Sequence, residues 1–268
     1  LLLNAKNKYF GWQLNVGQNY REAFRNSVID KITGVNTENL NRGYFLKSAL
    51  SFDVGKDKLL LNYDINHNNN DAYSGSYGFI PKKNTVTNVY DSLLDFTTDD
   101  AGKNKNLRHE GSVTYQVKFD DRAKKLDFNV TYNQFNTKYN QNSFRAFENG
   151  LSDGSQYETS SKQNLYTAKV DFSHPLKILD EGKVSVGGLY EKLLFETDYN
   201  AFKNLDYQRQ TASAYAEIQT KFKKFDFVAG VRAEDYDISG FSSTLENNVV
   251  KNTDLIPFKQ FKLFPNAS

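Results

Sequence analysis

Residues 225–236 read Phe-Asp-Phe-Val-Ala-Gly-Val-Arg-Ala-Glu-Asp-Tyr, and apolar side chains occupy the odd positions from 225 to 233. Asp226, Arg232 and Glu234 occupy even positions between them. Because successive side chains of a β-strand point to opposite faces, this stretch predicts a strand with one oily face and one polar face. The alternation returns about nine times along the chain, which predicts a protein built almost entirely of such strands.

The composition is compatible with a membrane protein that has no spanning helix. The 268 residues are 38% hydrophobic and 15% aromatic, too rich in rings for a disordered chain. The longest apolar runs, such as Leu59-Leu60-Leu61, are far shorter than the roughly 18 residues of a spanning helix. A transmembrane barrel needs only every second residue to be apolar, so a mean hydropathy of -0.67 does not argue against it.

Charge and cysteine content exclude several classes of function. A net charge of +2, spread along the chain, gives no electrostatic support for nucleic-acid binding. Without cysteine there is no thiol nucleophile, disulfide or cysteine-ligated metal, and no cofactor is predicted. The chain begins with Leu1 and contains no methionine, so we expect neither an initiator nor a signal peptide and predict a segment of a longer protein.

Nine strands are predicted, followed by the start of a tenth. Most are long enough to cross a bilayer when tilted, whereas strands of a soluble β-sandwich usually have about 5 or 6 residues. The lengths therefore favour a membrane protein. The predicted strands are 9–20, 44–54, 59–66, 109–119, 126–135, 164–173, 183–194, 207–222 and 225–236, with the tenth starting at Leu263.

The connections between these strands alternate between short and long. The segments at 55–58, 120–124 and 223–224 predict tight turns, whereas 66–107 and 136–162 are rich in Asn, Gly, Ser and Tyr and predict long loops. A further loop is predicted at 237–262. Short periplasmic turns alternating with long extracellular loops are typical of outer-membrane barrels, so we expect Leu1 and the turns in the periplasm.

Four pieces of sequence stand out in the second half of the chain: Tyr166-Thr167-Ala168-Lys169-Val170-Asp171-Phe172, Ala212-Ser213-Ala214-Tyr215-Ala216, Gly230-Val231-Arg232-Ala233-Glu234 and Leu263-Phe264-Pro265-Asn266. Together they resemble the barrel of TonB-dependent outer-membrane receptors of the Bacteroidota type. The resemblance is clearest over residues 164–268. It implies a barrel of about 22 strands, plugged by an N-terminal domain, that imports siderophores, glycans or peptides with energy from TonB.

The fold class expected from this resemblance is all-β, a transmembrane antiparallel β-barrel. Residues 1–268 would form a single partial barrel domain, about nine to ten strands of the larger barrel. A sheet with two open edges is costly in lipid, so we expect the segment not to fold in isolation. The implied partners are outer-membrane lipid, the protein's own plug and remaining strands, and TonB. A surface lipoprotein lid is also compatible with the resemblance. The implied location is the Gram-negative cell outer membrane.

Five charged residues are predicted to face the lumen: Arg232, Glu234, Glu217, Lys169 and Asp171. They have two interpretations. A charged lumen can dock a plug or line a substrate path, and cross-strand ion pairs can simply stabilise the wall.

Four aromatic residues of the long 66–107 segment are candidates for ligand binding: Tyr73, Tyr77, Phe79 and Tyr90. Rings beside small polar residues suit adaptable contact with sugars or flat chelates. The alternative is that they anchor the barrel at a membrane interface.

Carboxylates and amides alternate near the start of the same segment, at Asp64, Asn66, Asn68, Asn70 and Asp71. Oxygen donors at a spacing of two resemble the calcium ligands of an EF-hand. The glycine and terminal glutamate of that loop are missing, so we interpret the stretch as an Asx-rich turn and predict no metal site.

Two histidines, His67 and His109, offer the one enzymatic alternative, since they could meet near Asp64 or Asp71 at the outer rim and activate water. A solvated histidine is the commoner arrangement, and we do not expect an enzyme. A passive porin or a structural component of an envelope complex is the main alternative to a receptor.

Overall fold

The computed structural model describes residues 1–29, 33–119, 124–176, 182–200, 202–222, 225–246 and 249–267. This part of the chain forms twelve strands and no helix, and so no helix long and apolar enough to cross a membrane. The strands are β1 Leu2–Lys6, β2 Phe10–Ile29, β3 Thr33–Val54, β4 Asp57–Lys83, β5 Tyr90–Lys118, β6 Lys125–Phe147, β7 Ser152–Leu176, β8 Gly182–Tyr199, β9 Phe202–Phe222, β10 Phe225–Glu246, β11 Val249–Asp254 and β12 Phe258–Ala267.

All twelve strands belong to one antiparallel sheet whose order follows the chain, so the predicted all-β antiparallel fold is confirmed. At the far edge, β11 pairs with residues 241–246 of β10 and β12 pairs with residues 229–238. These two strands therefore lie end to end along β10. The described strands do not close the sheet, and its edges are β1 and the β11–β12 line.

The break between β11 and β12 lies beside Gly240, whose φ is +152°. A Cβ at this position would lie 2.1 Å from the Asp206 carbonyl oxygen on β9, so only glycine fits. The Leu255 N–H still donates to the Gly240 carbonyl oxygen at 2.8 Å. The chain therefore leaves the ladder and rejoins it without losing this backbone hydrogen bond.

The nine predicted strands correspond to β2–β10, but the prediction of long loops between them is wrong. Residues 66–107 continue β4 to Lys83 and begin β5 at Tyr90, which leaves a connection of only 84–89. Residues 136–162 likewise extend β6 and β7 around a turn at 148–151. The tenth strand begins at Phe258, not Leu263, and β1 and β11 were not predicted. Polar and glycine-rich composition indicated loops, but pairing with neighbouring strands overrides that preference.

One face of the sheet, called here the outer face, carries an apolar belt near the end where the tight turn of residues 55–56 joins β3 to β4, called here the tight-turn end. The predicted turns at 120–124 and 223–224 fall almost entirely on residues outside those that the structure describes. A single row of register partners places apolar side chains on eight neighbouring strands. The opposite face is called the inner face. The row consists of Trp12, Leu50, Leu61, Val113, Val130, Ala168, Tyr190 and Ala212.

Aromatic side chains mark both borders of this belt. Near the tight turns, the rings of Phe10 and Phe52 lie 5.0 Å apart. At the other border, the rings of Tyr132 and Tyr166 also lie 5.0 Å apart. Aromatic girdles of this kind sit at the two interfaces of a bilayer.

The strands continue well beyond the belt. β4 has 27 residues and β5 has 29, whereas a tilted strand needs about 9–11 to span a bilayer. The part of each strand past the tyrosine border is called here the extension; it includes residues 67–83 of β4, 90–107 of β5, 136–147 of β6, 152–162 of β7 and 194–199 of β8.

Among the described residues, no apolar side chain is fully buried. Val130, at the middle of the belt, is 55% exposed. A soluble chain of this length would bury a substantial core, but this sheet is a single layer with both faces uncovered. Its stability therefore requires an apolar environment against the belt.

Candidate functional site

The five predicted lumenal charges lie on the inner face of β7, β9 and β10, level with the belt. Lys169 Nζ lies 2.7 Å from Asp171 Oδ2, and Arg232 Nη2 lies 2.5 Å from Glu234 Oε1. Each ion pair joins two residues of the same strand, two positions apart. The interpretation that these charges stabilise the wall assumed ion pairs between neighbouring strands, which these two pairs are not. Glu217 lies opposite Gly230, one inward-facing row nearer to the tight-turn end than the Tyr215–Arg232 row.

Tyrosines tie these ion pairs to neighbouring groups. The Tyr215 hydroxyl of β9 reaches across β8 and donates to Asp171 Oδ1 at 2.5 Å. Gly187 lies between them in register, and a Cβ there would be 2.4 Å from the Tyr215 ring. Glu234 is buried and also accepts a hydrogen bond from the Tyr236 hydroxyl. Tyr215 was not predicted as a site residue, because its position opposite Gly187 is visible only once the register is known.

A different surface continues above this charged cluster, on the inner face of the extension. We call it the vestibule wall and define it as the inner-facing residues of segments 66–76, 98–106, 135–143, 155–163 and 193–199. Amides and hydroxyls form cross-strand hydrogen bonds here: Thr137 Oγ1 lies 2.6 Å from Asn106 Oδ1, and Ser161 Oγ lies 3.1 Å from Thr197 Oγ1. Two register rows of the wall read Asn70, Asn104, Tyr139, Thr159, Tyr199 and Asn68, Asn106, Thr137, Ser161, Thr197.

Three tyrosines of the wall form an aromatic platform across β6, β7 and β8. The ring centroid of Tyr157 lies 5.6 Å from that of Tyr139 and 6.3 Å from that of Tyr199. Gln141 Oε1 accepts hydrogen bonds from the Tyr139 and Tyr157 hydroxyls at 2.8 and 2.6 Å. Both bonds fix the ring orientations. Tyr139, Gln141 and Tyr157 fall in the predicted 136–162 loop, and no role was predicted for Tyr199.

Most charged side chains of the extension lie on its outer face, although some, such as Asp100 and Arg145, face inward. Asp71 forms ion pairs with Arg42 and, at 3.7 Å, with Lys103. Lys138 Nζ lies 2.6 Å from Glu158 Oε1. In the five segments that contribute the vestibule wall, the outward-facing charges are Asp71, Asp99, Lys103, Lys105, Lys138, Glu158, Lys162, Glu196 and Asp198.

Three of the four predicted ligand-binding aromatics, Tyr73, Tyr77 and Phe79, lie on strand β4, on the outer face of the extension, and not in a loop. The Tyr73 hydroxyl donates to Asp99 Oδ1 at 2.8 Å, and this hydrogen bond to a carboxylate raises the pKa of Tyr73. Tyr77 and Phe79 line a cavity of about 550 Å³ near the strand tips. The side chain of Tyr90 lies outside the described residues.

Two further aromatic residues line this tip cavity from β5 and β6. The rings of Phe96 and Phe147 lie 6.2 Å apart, and the Arg145 guanidinium lies 5.3 Å from the Phe96 ring centroid. Arg145 and Phe147 alternate two residues apart, a strand signal that the polar composition of 136–162 concealed. The cavity brings Tyr77 and Phe79 together but not Tyr73, which is not among the lining residues.

The predicted Asx-rich turn is wrong, because Asp64 and the residues after it belong to β4. Asp64 forms an ion pair with Lys47 at 3.2 Å, whereas Asp71 lies on the opposite face. In the described part of the chain, no group of three or more acidic or histidine side chains is arranged to hold a metal ion.

The two candidate histidines both lie on the outer face. His109 Nδ1 is hydrogen-bonded to the Tyr63 hydroxyl at 2.7 Å. His67 is opposite Leu107 in the register, one row further into the extension, and lines a separate cavity with Lys105 and Lys162. Asp71, the predicted acidic partner on that face, is held by Arg42 and Lys103.

Residues 117–268, more than half of the chain, match the outer membrane protein beta-barrel family. The chain belongs to the outer membrane protein beta-barrel family. It lies in the cell outer membrane, as predicted. The apolar belt therefore contacts lipid, and the inner face lines the lumen. No curated protein matches the sequence significantly.

Several solved structures resemble the chain at low identity. The ferric-catecholate import receptor Fiu from Escherichia coli, in its closed form, is 13% identical; the match covers 96% of this chain and 45% of that one, with a TM-score of 0.48. The siderophore receptor PiuA from Acinetobacter baumannii is 9% identical, with 99% and 47% covered and a TM-score of 0.48. The outer membrane protease OmpT from Escherichia coli is 7% identical, with 97% and 95% covered and a TM-score of 0.32.

The chain spans about half the length of the two receptors that it resembles. Because all three identities and TM-scores are low, these likenesses carry no argument about ligand or activity.

Proposed function

We propose that the protein is a TonB-dependent receptor of the Bacteroidota type, which captures a ligand outside the cell and imports it. The ligand is a siderophore, a glycan or a peptide. The tight-turn end of the sheet lies in the periplasm, and the extension stands outside the membrane. The protein acts by binding and transport and performs no catalysis of its own.

The observation that carries this proposal is the vestibule wall. A passive pore needs strands long enough to span the bilayer, but β4–β7 have 23 to 29 residues each. Their inner face is lined by ordered amides, hydroxyls and the Tyr139–Tyr157–Tyr199 platform. An extended, hydrogen-bonded and aromatic inner surface is suited to holding a ligand above the membrane.

The sheet edges supply the expected partners. The β1 edge and the β11–β12 edge have no further strand within the described part of the chain, and unpaired edges are costly in lipid. We propose that further strands of the same protein close the barrel. The charged cluster around Arg232 and Asp171 then faces the proposed plug, which TonB rearranges from the periplasm. A surface lipoprotein lid over the extension is compatible with this arrangement.

Two measurements test the proposal. On denaturing gels of purified outer membrane, the protein is expected as a heat-modifiable species of roughly 80–120 kDa, the size of a plugged barrel of about 22 strands. A species near 30.7 kDa contradicts the receptor and favours a small passive pore. In cells, a protonophore is expected to abolish uptake of the bound ligand but to leave binding at the surface intact. Uptake that survives the protonophore contradicts dependence on TonB.

A further inference from the structure

We infer that the vestibule wall binds a neutral, hydroxyl-rich ligand, an oligosaccharide, in preference to an anionic metal chelate. This inference rests on the proposed function, since it concerns the ligand that the receptor captures. It chooses between the glycan and the siderophore classes by the chemistry of the described inner surface.

The first argument is the separation of charge between the two faces of the extension. Nine of the ten charged side chains in the wall-forming segments point outward, and the tenth, Asp100, lies on the vestibule wall. The Ser143 hydroxyl donates to that carboxylate. An anionic ligand would be recognised by arginine or lysine forming charge-assisted hydrogen bonds. In the described segments the wall offers no such cation.

Three inward-facing cations beside the wall already have partners. At its border with the belt, Arg108 forms an ion pair with Glu110, and Arg209 forms one with Glu191. At the strand tips, Arg145 lies over the Phe96 ring. An anion could bind these three cations only in competition with their present partners, which makes them weaker anion sites than unpaired arginines would be.

The second argument is the tyrosine platform. A sugar ring has an apolar face of C–H groups and a rim of hydroxyls, so it packs on an aromatic ring while its rim forms hydrogen bonds. Tyr139, Tyr157 and Tyr199 supply rings on three neighbouring strands, with centroids 5.6 and 6.3 Å apart. Tyrosine provides such area with little loss of conformational entropy.

The third argument is the supply of hydrogen-bonding groups around the platform. Asn104 and Asn106 both accept from Thr137, so their amide N–H groups remain able to donate. The side-chain oxygen of Asn68 is shielded from solvent and accepts no hydrogen bond from the described residues. Amides can both donate to and accept from a hydroxyl. A site that forms hydrogen bonds to the hydroxyl groups of its ligand binds analogues without those hydroxyls much more weakly, because the polar groups of the site are then left unpaired.

The test uses the detergent-solubilised protein purified from outer membranes. It is applied to an array of neutral, sialylated and sulfated glycans, and it is titrated separately with a ferric tris-catecholate. The key variant is Tyr157→Ala, which removes the central ring of the platform. The matched control is Tyr73→Ala, which removes a tyrosine from the outer face of the same extension. Heat-modifiable migration on gels verifies that both variants are folded.

We expect neutral glycans to be retained and Tyr157→Ala to weaken their binding up to about tenfold, the effect of losing one ring contact of roughly 0.5–1.5 kcal/mol. The control is expected to bind like the wild type. The inference would be overturned if the protein retained only anionic glycans or the ferric chelate, or if it retained no neutral glycans. It would also be overturned if both variants lost binding equally. Protonophore-sensitive uptake of the ferric chelate would overturn the ligand class but keep the receptor, whereas uptake insensitive to the protonophore would overturn the receptor itself.

Discussion

The belt and the extension are two halves of the same strands, and they distribute charge in opposite ways. In the belt, apolar side chains point outward and ion pairs such as Lys169–Asp171 point inward. In the extension, ion pairs such as Lys138–Glu158 point outward and most inward-facing side chains are neutral. Strand pairing is continuous through both halves, so backbone structure does not cause the difference.

The medium against each face explains the reversal. Lipid excludes charge from the outer face of the belt, so the polar positions there must be lumenal. Beyond the lipid, water accommodates ion pairs on the outer face at little cost. The inner face of the extension is then free to be neutral, which its proposed role in ligand binding requires.

The largest difference between belt and extension is expected when the same charge is placed on the outer face of β6 in each half. Val130→Arg puts a guanidinium at the middle of the belt, where it should cost about 2–4 kcal/mol of unfolding free energy. Asn142→Arg, also outward but twelve residues further along in the extension, should cost little. Both are measured by urea unfolding of the protein refolded into lipid vesicles. Equal losses in the two variants would show that the belt does not contact lipid.

A second prediction addresses the inner wall of the belt. Gly187→Ala places a Cβ 2.4 Å from the Tyr215 ring and 2.7 Å from the Val170 carbonyl oxygen. We expect it to destabilise the protein by about 1–3 kcal/mol through overpacking.

Gly188→Ala is the matched control, because the neighbouring glycine faces outward and its nearest contact would be 3.5 Å. Combining Gly187→Ala with Tyr215→Ser should recover part of the loss, since the ring is then absent. If Gly187→Ala is tolerated as well as Gly188→Ala, Tyr215 does not cross β8 as described.

The sequence predicts the belt well and the extension poorly, for a physical reason. In β10, Phe225, Phe227 and Val231 alternate with polar residues because lipid imposes a strict choice at every second position. In β4, Asn66, Asn68 and Asn70 carry no such signal, because water on one face and a polar lumen on the other accept the same residue types. Strand pairing there depends on neighbours far along the chain, which composition alone does not reveal.

The candidate site shows the same limit. The faces assigned to Arg232 and Asp171 follow directly from the belt alternation, so they could be predicted. The Tyr139–Tyr157–Tyr199 platform could not, because its members come from three strands whose register is set by the whole ladder. Tyr73 and Tyr77 were predicted to bind ligand because they are aromatic residues in a polar segment. Their outward direction could not be predicted, because it depends on β4 continuing past residue 66.

A third prediction concerns the tight-turn end, where Asp57 accepts hydrogen bonds from the Lys118 backbone N–H at 2.9 Å and the Tyr115 hydroxyl at 2.8 Å. The bond from Lys118, followed by that from Tyr115, lowers the pKa of Asp57. A lowered pKa stabilises the folded state above the ordinary carboxyl value of about 3.9, and this contribution is lost as pH falls through the lower folded value.

The unfolding free energy of the wild type should therefore exceed that of Asp57→Asn by a constant amount from pH 7 down to about pH 4. Below that range the difference should shrink. The measurement is the urea midpoint of both proteins in vesicles at each pH. A difference that stays unchanged at the acid limit would mean that Asp57 does not act through its charge.

The smallest expected effect belongs to Tyr73, in the extension. Its hydroxyl donates to Asp99, and this bond followed by the Asp99 charge raises the pKa of Tyr73 above 10.0. For a raised pKa the stabilising contribution is present below the ordinary value and is lost as pH rises through the folded value. Because both groups lie against water, Tyr73→Phe should change stability only slightly at neutral pH. Ultraviolet absorbance should instead show one fewer late-ionising tyrosine in Asp99→Asn than in the wild type. If Asp99→Asn leaves the titration unchanged, the Tyr73–Asp99 contact is absent, and the outer face of the extension is less ordered than its ion pairs imply.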